Sequence, residues 1–332
     1  MRNPRLMVIV GLASAALLAA CGGQSATIES PASEAVPAAF SDREASGEDL
    51  ANAWFELLSM TGAPSGEVAS DSAQVQAGID LVRPYLDPAF TLVRSSGERY
   101  FASNYVPLDV DDYEVSDVVV TQPRDDIRVV RYTVSTPGAT APDTGIVMSG
   151  DFAPRLTVLK WDEALGRWAI VSHANFNTPL AAVGDASPIE MGGDPAQTSA
   201  EDFALGEQLV VQWRDITTGK SQERVRHPEA QIQLADGRAW PTADDKPLEW
   251  KPAQAYDYAD LSITRDGDLL VASYDAVVSD LVMEGEEYRA SASPRLLTYL
   301  QSPEGKWELI ALANFTVPQE IPADVDCASL GS

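Results

Sequence analysis

Basic residues, cysteine and histidine are all scarce in this chain. Lysine and arginine number 23 against 50 acidic residues, for a formal net charge of −27. A field of that sign opposes phosphate, which needs clustered Lys and Arg, so it stands against nucleic acid as a partner and against direct attraction to an anionic membrane surface. Two histidines and two cysteines leave no set of ligands for a zinc site, and no cofactor is implied. The acidic clusters Asp109 to Asp112 and Asp266-Gly267-Asp268 lack calcium-loop spacing and read as turns. There is no Gly-x-Ser-x-Gly elbow and no Walker loop. The apolar run Met7 to Leu18 is too short to cross a bilayer core of about 30 Å comfortably as a helix.

That short run has another reading. Arg2 and Arg5 precede it, and it ends in Leu18-Ala19-Ala20-Cys21, which looks like a lipobox. Small residues let the extended chain enter a peptidase groove, and the Cys21 thiol accepts a diacylglyceryl group before cleavage. The expectation is a leader over 1–20, lipidation at Cys21 and a mature chain anchored stably by acyl chains on the periplasmic or outer face of the envelope. Gly22 stands where an aspartate commonly retains such proteins in the inner membrane, which favours the outer one. Lipidation leaves Cys327 without an intramolecular partner, in a polar tail with no basic neighbour to activate it.

Residues 21–46, rich in Ala, Ser, Pro and Glu, read as a flexible tether, and 181–199 as an interdomain linker. What lies between and beyond repeats itself. Pro154-Arg155-Leu156, Gly166-Arg167-Trp168 and Ala174-Asn175-Phe176 recur in order as Pro294-Arg295-Leu296, Gly305-Lys306-Trp307 and Ala313-Asn314-Phe315. Upstream, Tyr113 to Thr121 matches Tyr256 to Thr264, Tyr132 matches Tyr274, and Ser96-Gly97 matches Asp236-Gly237. The chain therefore divides into a first domain over 47–180 and a second over 200–320, with a tail over 321–332. Trp54 stands much further before Gly97 than Trp213 does before Gly237, so if the tryptophans correspond the second copy has lost about one helix, leaving a pocket either open or filled.

Each copy begins helical and ends in strands. Ser46 to Asp49 offers a capping box, with Leu50, Trp54, Leu57 and Leu58 on one face behind it; Ser199 to Asp202 offers the second. Another helix is expected over 74–86, with Val75, Ile79, Val82 and Leu86 aligned. Strands follow over 127–134, 155–160 and 168–176, the last two joined by a hairpin at Gly166.

The Leu86-Asp87-Pro88-Ala89-Phe90 strand start, the phrase Arg155 to Leu159 and the closing Trp168 to Phe176 together resemble the nuclear transport factor 2-like fold. Ketosteroid isomerase, scytalone dehydratase and SnoaL-type cyclases share this α+β roll. The resemblance implies two tandem cone-shaped α+β rolls, each a curved antiparallel sheet wrapped on N-terminal helices with a pocket at the wide end. It also implies pairing through the outer sheet face, which here the two domains would supply to each other.

Alternation places His173 and Asn175 on one face of their strand, with Ser172, Ala174 and Phe176 on the other. The second copy keeps Asn314 but has Leu312 in place of His173. His173 reads either as a pocket acid or base or as a hydrogen-bonded core histidine. Arg155 and Arg295, present in both copies, either hold a ligand carboxylate or pair with Asp117 and Asp260. Tyr132, Asn175, Tyr274 and Asn314 complete the set of candidate ligand-binding residues. No carboxylate stands on the inward stretch after Asp87-Pro88, against the pattern that isomerase chemistry implies. The expected role is non-catalytic binding of a small apolar or amphipathic ligand, or of another envelope protein. The competing reading is a hydratase or isomerase pocket in the first domain built on His173.

Overall fold

The computed structural model describes residues 37–61, 72–141, 146–177, 198–223, 225–241, 249–283 and 285–316. The leader, Cys21, most of the tether and of the linker, and the tail with Cys327 lie outside them.

The first half opens with helices α1 (Gly47–Ser59) and α2 (Ser72–Val82) and continues in eight strands. These are β1 (Leu86–Arg94), β2 (Arg99–Phe101), β3 (Glu114–Arg124), β4 (Ile127–Ser135), the small pair β5 (Thr140–Ala141) and β6 (Ile146–Val147), β7 (Ala153–Asp162) and β8 (Arg167–Asn175). The second half has one helix, α3 (Ala200–Thr217), then β9 (Arg226–Leu234), β10 (Ala239–Trp240), β11 (Trp250–Lys251), β12 (Ala255–Asp266), β13 (Leu269–Met283), β14 (Glu286–Gln301) and β15 (Trp307–Asn314). The class is α+β.

Both helix starts follow from their caps. Ser46 accepts from the Asp49 backbone N–H while Asp49 accepts in return, and Ser199 likewise accepts from Asp202. The helix expected over 74–86 ends earlier. Pro84 disfavours a helical residue before it, so the chain tightens into a 3-10 turn over Arg83–Tyr85 and Leu86 already begins β1.

The two main sheets share one strand order, β2-β1-β8-β7-β4-β3 in the first half and β10-β9-β15-β14-β13 with β12 beside β13 in the second. In each, one parallel pair, β1 with β8 or β9 with β15, sits among antiparallel neighbours. Local irregularities coincide as well. Asp117 and Asp260 both adopt φ +52°, each where its strand slips register against its neighbour. Gly47 packs where a Cβ would collide with Val120, and Gly206 packs in the same way on Ile263. Val120 and Ile263 precede the matched Thr121 and Thr264, so Trp54 and Trp213, each seven residues beyond its glycine, correspond.

The inner faces bury separate cores. Trp54, Phe90, Tyr132 and Trp168 fill the first, and Leu209, Tyr274, Tyr299 and Leu309 belong to the second. A third cluster joins the outer faces. Leu156, Val158 and Ala174 of the first sheet pack with Leu296, Ile310 and Ala313 of the second, and Phe176 stacks on Phe315 at 4.2 Å. The described residues of both halves belong to one compact unit. Two polar contacts across this junction form a related pair, and others stand alone. Thr91 bonds Thr264 at 2.9 Å, and Gln231, the β9 position matching Thr91, bonds Thr121 at 3.1 Å. Arg99 pairs with Asp275 at 2.6 Å and Lys160 with Asp266 at 2.5 Å.

One boundary moves. Residues 37–46, expected to belong to the tether, are part of the first core: Phe40 is fully buried against Tyr85, Ala45 is buried, and the Asp42 carbonyl accepts from the Trp168 indole. A single aromatic in an otherwise small, polar stretch anchors the arm.

Candidate functional site

The inner face of each sheet carries a row of polar residues across adjacent strands. In the first half Tyr132 faces Arg155, Arg155 faces Asn175, and Asn175 faces Arg94. In the second the row is Tyr274, Arg295, Asn314 and Leu234. Both arginines are almost wholly buried and do the same structural work. Arg155 donates to the Pro154 carbonyl at 2.8 Å and to the Asn177 side chain; Arg295 donates to the Pro294 carbonyl at 2.9 Å and to Thr316 at 2.7 Å. Each guanidinium thus clamps the end of the last strand to its neighbour. Neither pairs with the acids suggested by sequence order, because Asp117, turned outward by its left-handed backbone, accepts from Thr133 instead. Burial lowers both arginine pKa values, that of Arg155 to about 10.

The next row inward decides how the two halves differ. Val130, Thr157, His173 and Leu92 stand opposite one another in the first half, and Ala272, Leu297, Leu312 and Ile232 in the second. His173 is 3% exposed, its Nδ1 lies 2.9 Å from the Thr157 hydroxyl, and Thr157 in turn meets the Tyr132 hydroxyl at 3.2 Å. The ring sits beside Trp54. Burial, then the charges of Arg155 and Arg94, hold its pKa well below the usual histidine value, so it is neutral at physiological pH. Only about 10 Å³ of free space adjoins it, lined by Trp54, Tyr105, Arg155 and Asn175, room for no more than a water. Tyr105, packed on Trp54, Phe90 and Tyr100, plugs this end of the sheet.

His173→Leu is expected to fold and to cost about 1–2 kcal/mol near pH 7, the worth of depriving the buried Thr157 hydroxyl of its partner. Thr157→Leu and Tyr132→Phe added to it, which remove both hydroxyls of the hydrogen-bonded chain and, at 157 and 173, copy Leu297 and Leu312, should recover part of that loss. Because the native ring resists protonation, wild-type stability falls as pH drops below the ordinary histidine value, and the gap to His173→Leu narrows toward pH 5. Urea unfolding at pH 7.5 and pH 5 checks both; a gap that widens on acidification contradicts the neutral buried ring.

Among the described residues the larger space lies in the second half. A cavity of about 250 Å³ opens inside its curled sheet. Trp213 and Ile216 of α3 form one wall, Ile232 and Leu312 the sheet side, and Leu281 and Trp250 the edge. Tyr256, Arg295 and Asn314 supply the polar groups, with Glu223 and Arg226 also on the lining. The cavity follows from three changes. Among the described residues no helix stands between α3 and β9 in the place of α2. The segment after β10 reaches β13's edge as β11. The inward polar residues Arg94, Thr157 and His173 give way to Leu234, Leu297 and Leu312.

Of the candidate residues, Arg295 and Asn314 line this cavity, while Arg155, Asn175 and His173 meet at the small void. Tyr132 and Tyr274 line neither; Tyr274 instead bonds the Tyr256 hydroxyl at 2.7 Å. Sequence reasoning passed over Tyr256, Trp213 and Trp250. The first two carried a signal, since Tyr256 opens a matched segment and Trp213 stands just before the place of the missing helix. Burial raises the Tyr256 pKa, so its hydroxyl serves as a hydrogen-bonding group rather than a base. Among the described residues no cluster of His, Cys, Asp and Glu is placed to hold a metal, and no helix is long and apolar enough to cross a membrane.

No protein-family model matches the chain, and no curated protein matches it. Solved structures do. An NTF2-like protein from Cytophaga hutchinsonii matches at 15% identity over 36% of this chain and 100% of its own, with a TM-score of 0.26. An NTF2-like protein of unknown function from Shewanella baltica matches at 15% identity over 37% and 98%, with a TM-score of 0.26. A putative ketosteroid isomerase from Parabacteroides distasonis matches at 12% identity over 42% and 92%, with a TM-score of 0.27.

Proposed function

We propose that this chain is a lipid-anchored binding protein of two tandem nuclear transport factor 2-like rolls, paired through their outer sheet faces, whose second roll holds a small apolar or amphipathic molecule. The observation that carries the binding role is the 250 Å³ cavity with largely apolar walls and a few convergent polar groups, the usual form of a small-molecule site. Among the described residues its lining holds no histidine, cysteine or serine, its carboxylate Glu223 is exposed and held by Gln212, and its Thr217 hydroxyl is spent on the Trp213 carbonyl, which favours holding a ligand over transforming one. The first roll, packed solid around His173, serves as support. The shared strand order and the paired contacts Thr91–Thr264 and Gln231–Thr121 support the tandem reading.

The test is titration of the full chain with 1-decanol and with sodium decanoate, followed by calorimetry and by the fluorescence of Trp213 and Trp250. At least one probe should bind one-to-one. Ile216→Phe, which fills the cavity from α3, should abolish that binding while leaving stability unchanged or higher. Failure of both probes to bind, or binding untouched by Ile216→Phe, rejects the reading. The anchor is tested separately. Cys21→Ser should release the protein from the membrane fraction and stop its uptake of labelled fatty acid; a variant that remains lipid-labelled sinks the anchor.

A further inference from the structure

We infer that the molecule held in the second-half cavity carries one carboxylate on an apolar body, and that Arg295 and Asn314 receive it; this rests on the cavity-binding reading above. The polar groups at the Arg295 end of the site, Arg295, Asn314 and the Tyr256 hydroxyl, can all donate. Arg295 is 3% exposed, and the partners of its guanidinium are neutral: Ser293 at 2.9 Å, the Pro294 carbonyl, Thr316 and, on the cavity side, the Tyr256 hydroxyl. Among the described residues no carboxylate pairs with it. The acid whose charge acts on it, Asp275, is already held by Arg99. A buried cation without a counter-charge is costly, and the open side of this one is the cavity. Asn314 adds a second donor. Its Oδ1 accepts from the Thr316 backbone N–H at 2.9 Å, which fixes the amide's orientation and turns Nδ2 to the site with no partner among the described residues.

Comparison with the first half separates structural work from ligand work. Arg155 makes the same clamp without a cavity, so the clamp alone explains why a cation is kept at this position. What is new in the second half is access. Leu234 replaces the neighbouring Arg94, Leu312 replaces His173, and the guanidinium becomes part of a cavity wall. A site with donors at one end and Trp213, Ile232, Leu281 and Leu312 around the rest fits an acid group on an uncharged apolar body. Arg and an amide N–H together match the two oxygens of a carboxylate. Glu223 faces the lining as well, but it is already held by Gln212 at 2.8 Å and is exposed to screening solvent.

Titrating the full chain with decanoate and with 1-decanol, matched in chain length and differing in charge, tests this. Decanoate should bind at least tenfold more tightly than 1-decanol. Arg295→Gln should remove that preference and leave 1-decanol binding as it was. Should Arg295→Gln unfold because the clamp is lost, Asn314→Asp keeps the acceptor for Thr316 and sets a carboxylate beside Arg295. That variant should lose decanoate binding tenfold or more and retain 1-decanol. Equal affinity for the two probes, or binding of 1-decanol alone, overturns the carboxylate assignment while the cavity reading stands. A preference for decanoate that survives Arg295→Gln or Asn314→Asp also overturns it. Binding of neither probe to the wild-type chain removes both.

Discussion

Trp168→Ala should cost about 3–5 kcal/mol of folding stability, and Trp307→Ala, its counterpart in the second half, about half as much. The sequence match sets these tryptophans as equals at the start of the last strand, where both are expected to be buried. Trp168 is fully buried, packs edge-on against Trp161 at 5.7 Å, and donates its indole N–H to the Asp42 carbonyl at 2.9 Å. Its removal leaves a cavity, an unpaired carbonyl and a loosened N-terminal arm. Trp307 is only half-buried, and the cation of Arg265 covers its ring at 5.3 Å. Truncating a half-buried ring forfeits less apolar burial and opens no closed void. Denaturant unfolding of the two variants side by side decides the matter, and equal losses would mean that the arm contributes nothing to Trp168's environment.

Asp87→Asn should stabilise the protein by up to about 3 kcal/mol at pH 7.5 and flatten its stability profile between about pH 4 and pH 6. Asp87 is the second residue of β1, is 4% exposed, and caps its own turn by accepting from the Ala89 N–H at 2.8 Å. Burial pushes its carboxyl up to about 6, with repulsion from Asp266 and Asp162 adding to the rise and Lys160 at 3.8 Å opposing it. The folded state therefore holds the proton more tightly than the unfolded chain does. Stability from this group is complete below the ordinary carboxylate pKa and is lost as pH rises through about 6. The amide keeps the acceptor for Ala89 and carries no charge to bury, while Lys160 retains Asp266 at 2.5 Å. Thermal unfolding across pH 4 to 8 tests this; a variant less stable than wild type at pH 7.5 would show that the Lys160 contact outweighs desolvation.

Local features were the most legible in the sequence. Ser46 with Asp49, Ser199 with Asp202, and the turn glycines Gly97, Gly166 and Gly237 act through neighbours a few residues away, so spacing alone announces them. The polar row was partly legible, because Tyr132, Arg155 and Asn175 recur in order as Tyr274, Arg295 and Asn314. Its spatial consequence was not. Arg155 and Asp117 recur together with Arg295 and Asp260, yet a left-handed residue turns each aspartate away, and backbone φ leaves little trace in residue type. The end of α2 was legible in Pro84 but masked by Leu86, which happens to continue the apolar face. The arm over 37–46 gave only Phe40 as a signal. His173 drew attention as a lone titratable group, whereas the larger space lies where a histidine and a helix are missing. Vacant volume is a property of what fails to fill it, and no single residue encodes it.

The junction of outer faces has a consequence for how such a chain changes over time. In an assembly of two identical subunits every substitution appears twice, once on each side of the dyad, and both must be tolerated. Here Thr91 meets Thr264 while its counterpart Gln231 meets Thr121, so the two sides already differ by one residue at one contact. Joining the halves in a single chain also makes their meeting independent of protein concentration. Freed from mirroring, one half can accept a less tightly packed interior at the expense of its own cohesion, provided the other and the shared face keep the whole folded. Arg94 against Leu234 and His173 against Leu312 are differences of that kind: each is one that a strict dyad would forbid, since it would place the same residue on both sides.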